Sequence, residues 1–314
     1  MDERLLEERV AEIDAMKRFG EEVGLNFGEE MFSVVQRGEQ PSFYWLYASH
    51  KDRIESALSW TRSALPYAIC AFLARYPLVR HIPRLILQRV SMEYEMFDSR
   101  KQDAEARARE LEDKGLDVLL FEAEAYGGPE CPLTLSVLEA EPARRAYVVF
   151  HEGLHVHIRK HWDKGGANIP PELEEPLADY FGTTLASRYF EEHAPESIGA
   201  ARLQSQDVAT FFDFVVAYHD RLSECYARGG KAREAILAEA REEALRLREG
   251  CETAWVKDRF SSPINNAFFL RYITYSKHRP LVGTALESVS ISDYLKDPDT
   301  VNTVLLERIG ERHG

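Results

Sequence analysis

The run "HEGLHVHIRKHW", residues 151–162, carries four histidines within eleven residues. Two of them bracket a glutamate as His151-Glu152-x-x-His155, and His157 and His161 repeat the four-residue step with Ile158 in the glutamate's place. On an α-helix, residues four apart are rotated by about 40° and share a face. His151 and His155 can therefore turn ring nitrogens toward one ion while Glu152 stands beside them to hold a water. That is the HExxH arrangement of two zinc ligands and a general base. The preceding "RRAYVVF" (144–150) is mostly apolar, as expected of a helix buried in a domain core. His157 and His161 point about 120° away on the same helix. They are expected on a partly exposed face as ordinary polar groups, with substrate contact as the lesser alternative.

A third ligand must come from elsewhere. His161 sits six residues after His155, where metzincins place a third histidine. That geometry needs a glycine break where this chain has Ile158, and a methionine turn beyond the motif. All five methionines precede it. "PPELEEPLADYFG" (170–182) offers a glutamate instead: Glu175 lies twenty residues after His155, with Asp179 one turn further along the same face. Three protein ligands leave the fourth position open for water, as catalytic zinc requires. Asp179 would accept a hydrogen bond from a ligand histidine, His151 first, and fix its tautomer. Glu174 is the rival ligand, but position 178 is alanine, so it lacks an acidic partner one turn on. Pro176 is tolerated if the helix begins near Glu174, within its first turn.

Outward from the motif, the chain of 314 residues is long enough for one large domain or two packed lobes. Its formal charge of −14 argues against nucleic acid and anionic membrane surfaces as partners. "MDERLLEERV" is charged from its second residue, which predicts no signal peptide and a cytoplasmic location. The apolar run "ALPYAICAFLARYPLV" (64–79) is too short to span a bilayer and reads as a buried helix. Four scattered cysteines without CxxC spacing read as free thiols. Helices are expected over 2–23, 100–115, the histidine run and everything beyond about 170; strands are expected over 42–49 and 116–126. The helix within "KAREAILAEAREEALRLREG" (231–250) turns Ile236, Leu237, Ala240, Ala244 and Leu247 inward. The fold class follows: mainly helical α+β, zincin-like, with a small sheet. Glycines near 165 and prolines at 170 mark a hinge between an N-terminal lobe, 1–163, and a helical C-terminal lobe, 164–314.

The run "EPLADYFG" (175–182) resembles the second ligand helix of thermolysin-like gluzincins, where a ligand glutamate precedes an aspartate by four. Nearly the whole chain resembles an uncharacterised bacterial family described as aminopeptidases, many of them lipoproteins. The resemblance is carried by "KRFGEEVGLNF", "SFYWLYAS", "GLDVLLFEAEAYGG", "PLTLSVLEAEPARRAYVVFHEGLH" and "INNAFFLRYITY" (264–275), in order and at similar spacing. This chain departs from the family in lacking its lipoprotein start and cysteine-bearing segment. It also has a longer insert, "VHIRKHWDKGGANIPPEL", before the ligand glutamate.

The resulting expectation is a zinc-dependent peptidase, by the resemblance an aminopeptidase, with one zinc per chain and a peptide or peptide-like substrate. Glu152 takes a proton from the zinc-activated water and passes it to the leaving amine. In gluzincins a downstream tyrosine or histidine stabilises the tetrahedral intermediate; Tyr275 is the first candidate, with His278 and Tyr272 behind it, and a buried core aromatic is the alternative. Asn265 and Asn266 either bind substrate backbone or cap the helix that begins there. Tyr126, ending a strand beside the metal helix, could contact an extended peptide. Glu124 and Glu130 are the nearby carboxylates that could hold a free α-ammonium. Two other functions stay open: an amide hydrolase acting on a small or modified peptide, and a non-catalytic binding protein on a zincin scaffold.

Overall fold

The computed structural model describes residues 2–35, 43–58, 94–98, 101–125, 128, 131–163, 169, 171–287, 289–298, 302–305 and 307. Tyr126, Glu130, Cys70 and the apolar run at 64–79 lie outside them. Helix α1 (Glu3–Glu22) starts where the Asp2 carboxylate accepts the Leu5 amide at 2.8 Å and buries Ile13, Met16 and Phe19 at helical spacing. It ends before Gly24, whose φ of +108° suits a residue without Cβ.

Three strands follow, with α2 (Lys101–Asp113) between the second and third: β1 (Phe43–Ser49), β2 (Tyr94–Asp98) and β3 (Asp117–Ala123). They form an antiparallel sheet in the order β2-β1-β3, with Trp45 opposite Met96 and Phe121. β2 lies in a stretch where the sequence pattern announced no strand. Alternation divides β1 between two faces. Leu46 and Ala48 pack with Ala108 and Leu111 of α2, whereas Trp45, Tyr47 and Phe121 face the C-terminal helices.

The remaining elements are helical: α3 (Leu135–Glu139), α4 (Pro142–Asp163), α5 (Pro171–His193), α6 (Ile198–Ala227), α7 (Arg233–Gly250), α8 (Ala254–Phe260), α9 (Asn266–Ser276), α10 (Arg279–Glu287) and α11 (Ile291–Lys296). The fold is therefore mainly helical with a small antiparallel sheet, an α+β architecture. α7 buries Leu237, Ala240 and Ala244, while Ile236 and Leu247 are half-buried. Cys131, Cys225 and Cys251 are buried and not disulfide-bonded, and burial first, with Asp207 beside it, pushes the Cys251 thiol up to about 11. No helix among the described residues is long and apolar enough to cross a membrane.

Beside the small cluster between the sheet and α2, two larger hydrophobic clusters organise the packing. The first joins α1, α4, α5, α10 and α11; the second joins the aromatic face of the sheet to α6–α9. In the first, a Cβ at Gly153 would lie 2.3 Å from the Phe27 ring, and one at Gly182 3.0 Å from the Tyr147 carbonyl oxygen. Glycine at these places lets Phe27 lie flat on α4 and lets α5 approach α4. The close α4–α5 pair carries the histidine motif and the glutamates.

Candidate metal centre and its cleft

His151 and His155 project from α4, and Glu174 and Glu175 from α5. The Nε2 atoms of the two histidines lie 3.3 Å apart, and Glu175 Oε2 lies 3.4 Å from the first and 3.6 Å from the second. Glu175 Oε2 is buried and accepts no hydrogen bond. Three ligand-type atoms converging on one point, with a buried anionic oxygen left unsatisfied, is a donor set that fits a divalent metal ion. This His151-His155-Glu175 group could bind a metal.

The electrostatics agree with the geometry. Burial opposes charge on His155, yet Glu175 and Glu174 hold its imidazolium well above the ordinary range. Reciprocally, His155 and His151 hold the Glu175 carboxyl well below its own, against the same desolvation. A cation is what this cluster of acceptor atoms favours, and a metal would compete with the proton for it.

Glu174, the rival ligand, has a different position. Its Oε1 lies 2.8 Å from His155 Nδ1, where it accepts the ring N–H and leaves Nε2 as the lone-pair face. Asp179 does not reach His151. Its fully buried carboxylate accepts the Tyr147 hydroxyl at 2.9 Å and the Arg279 Nε–H at 2.6 Å. Tyr147 in turn stacks on His151, with ring centroids 5.3 Å apart. The aspartate thus bears on His151 only through a tyrosine one turn earlier on α4, and His151 Nδ1 keeps no hydrogen-bond partner. The reason is reach: α5 begins at Pro171, ahead of Glu174, and runs through Pro176, so its phase sets Asp179 against Tyr147.

Glu152 lines an adjacent cleft, together with His151, Tyr147, Tyr272 and Tyr275. Glu152 Oε2 is buried without a partner. Tyr275 stacks against His151 with centroids 6.1 Å apart and planes 19° from parallel. Burial pushes its hydroxyl well above the ordinary range, although Arg271 pulls the other way, so it stays a neutral donor. The Tyr272 hydroxyl is buried and unpaired. His278 is not among the residues lining this cleft.

Other candidates serve the framework. Asn265 caps α9, accepting the Phe268 amide at 3.0 Å, and donates to the Val118 carbonyl. Asn266 donates to the His50 carbonyl and accepts the Tyr226 hydroxyl. Both asparagines are therefore occupied in joining α9 to the sheet, and neither lines the cleft. His157 accepts the Asn26 amide at 3.1 Å and lies 3.2 Å from the Leu295 carbonyl, strapping α4 to α11 and to the segment after α1. The His161 side chain lies outside the described residues.

The cleft also holds groups that the sequence reading passed over. Arg144 pairs through Nε and Nη2 with Glu124, which burial would raise but Arg144 holds below the usual carboxylate range. Glu124 is consequently taken by a guanidinium and not free for an ammonium. Arg259 and Arg271 line the same space. A signal existed for some of these: Arg144, Tyr147, His151 and His155 follow steps of three and four along one helix face. No such periodicity relates α8 and α9 to the motif.

A family described as "Putative aminopeptidase" matches residues 92–297, more than half of the chain. No curated protein and no solved structure matches it.

Proposed function

The chain belongs to that aminopeptidase family, and from this membership we propose that it is a zinc-dependent peptidase of gluzincin type, acting in the cytoplasm and cleaving at a free N-terminus. The observation that carries the reading is the unsatisfied Glu175 Oε2, facing two imidazole nitrogens, together with an equally unsatisfied Glu152 Oε2 in the cleft that His151 also lines. Held by His151, His155 and Glu175, zinc would supply a Lewis acid and an activated water.

The chain's own groups account for the rest. Glu152 accepts the proton of the attacking water and delivers it to the departing amine; its unpaired, buried oxygen is free for both transfers. Tyr275, kept neutral by burial, donates to the oxyanion of the tetrahedral intermediate from the cleft side of His151. Glu174 fixes the His155 tautomer, and Tyr147, anchored on Asp179, fixes the plane of His151. The aromatic edge of the sheet supplies a wall along which an extended peptide can lie.

Elemental analysis of protein purified without added metal or chelator should find about one zinc per chain. Glu152→Gln should retain that zinc while hydrolysis of a peptide panel falls by roughly 10²–10⁴-fold, whereas Glu175→Ala should lower zinc affinity. Activity persisting in Glu152→Gln, or a chain that takes up no zinc, would overturn the reading.

A further inference from the structure

One wall of the cleft is a ladder of alternating guanidinium groups and rings. Arg144 lies 4.2 Å from the Trp255 ring centroid, and Arg259 lies 5.1 Å from the same ring. Arg259 and Arg271 lie 5.5 and 5.3 Å from Phe121. Arg271 lies 4.3 Å from Tyr275, which stacks on the metal-ligand candidate His151.

The charges along this ladder do not balance. Three arginines line the cleft against two carboxylates, Glu124 and Glu152. Glu124 is consumed by Arg144, and Glu152 is the proton carrier of the proposed reaction. Among the described residues, no carboxylate forms an ion pair with Arg259 or Arg271. Their Nε–H groups, and Arg144 Nη1, are buried without an acceptor. Cation–π contact contributes roughly 0.5–2 kcal/mol per pair and does not replace the hydration a buried guanidinium loses. Like charges gathered in a low-dielectric pocket repel one another, and an anion bound among them would offset that repulsion and supply the missing acceptors. Arginine's planar fork suits a carboxylate, which it can bind through two parallel N–H bonds.

We propose that Arg271 and Arg259 bind a carboxylate of the substrate beside the metal centre, so that the enzyme is selective for peptides bearing an anionic group next to the scissile bond. The inference deepens the peptidase reading and rests on it for the word substrate, but the carboxylate site itself does not require turnover. The anionic group is either an acidic side chain or a terminal carboxylate.

The test is calorimetric binding of three small probes to the full chain, with its metal and again after chelation, so that a carboxylate held by metal is told apart from one held by arginine. N-acetylglutamate α-amide carries only the side-chain carboxylate, N-acetylglutamine only the terminal one, and N-acetylglutamine α-amide neither. One of the two monoanions should bind at least about tenfold more tightly than the neutral probe, as expected for a charged hydrogen bond. The preference should survive chelation and fall below about threefold in Arg259→Gln/Arg271→Gln. Which monoanion wins identifies the source. If the double variant fails to fold, Arg271→Lys, which keeps the charge and loses the fork, should still reduce the preference measurably. Equal binding of all three probes to the chelated chain, or a preference undiminished in a folded variant, overturns the proposal. Because these readouts need no hydrolysis, they can fail while the zinc and Glu152→Gln results stand, and the reverse.

Discussion

The metal side of the cleft and its arginine side solve the burial of charge in different ways. On the metal side, α4 and α5 bring two histidines and two glutamates together. The Nδ1–H of His155 has its acceptor in Glu174, Nε2 faces the Glu175 carboxylate, and opposite charges shift one another's ionisation. On the opposite side, β1, β3, α8 and α9 contribute rings and guanidinium groups, and the aromatic faces stand in for counter-ions. The first side is closed by its own residues once a cation is bound. The second is closed only by something from outside. The difference teaches that a buried cluster with matched charges reads as a structural or metal site. A cluster with an excess of one sign reads as a receptor for the other.

Arg144 and Glu124 form the hinge of that comparison, since their buried pair ties α4 to the end of β3. Glu124→Gln should lower unfolding stability by about 3–5 kcal/mol, because it leaves a buried guanidinium uncompensated. The Glu124 carboxyl is held below its ordinary value, so its contribution is present above the unfolded carboxylate pKa and lost as pH falls through the lower folded one. Urea titrations between neutral and acid pH should therefore show a flatter acid limb in the variant; an unchanged midpoint would mean that the two sides are not joined here.

On the metal side, Glu174→Ala should weaken metal binding by roughly 10–100-fold in competition with a chromophoric chelator, since His155 loses the acceptor that orients it. Undiminished affinity would show that the imidazole is held by packing alone. Smallest of all, His157→Ala should cost about 0.5–1.5 kcal/mol in thermal or urea unfolding and leave metal content unaltered. A loss of metal there would place His157 in the site, contrary to its hydrogen bonding.

Much of the metal side was legible because it depends on local spacing. The four-residue step from His151 to His155 fixes a shared face wherever a helix forms. The choice of Glu175 over Glu174 rested on an aspartate at i+4. The structure brings Glu175 to the histidines, but that aspartate contacts Tyr147 and Arg279. What separates the two glutamates is their phase on α5, which puts one carboxylate between the Nε2 atoms and the other behind His155. Asn265 and Asn266 illustrate a second limit. Both are helix-capping residues by type, and whether such a residue also faces a ligand depends on what lies across from it. Here that is the Val118 carbonyl of β3 and the His50 carbonyl just past β1.

By itself the sequence determined the helical character of the chain, the two strand candidates expected over 42–49 and 116–126, and the His151-Glu152-His155 face, because propensity and periodicity act over one or two turns. Only the tertiary structure decided the roles of Glu174 and Asp179, and the convergence of Arg144, Arg259 and Arg271 on one cleft. Arg144 is more than a hundred positions from both Arg259 and Arg271. Their charges meet because the aromatic face of the sheet packs on α8 and α9, and burial alone turns them into a site.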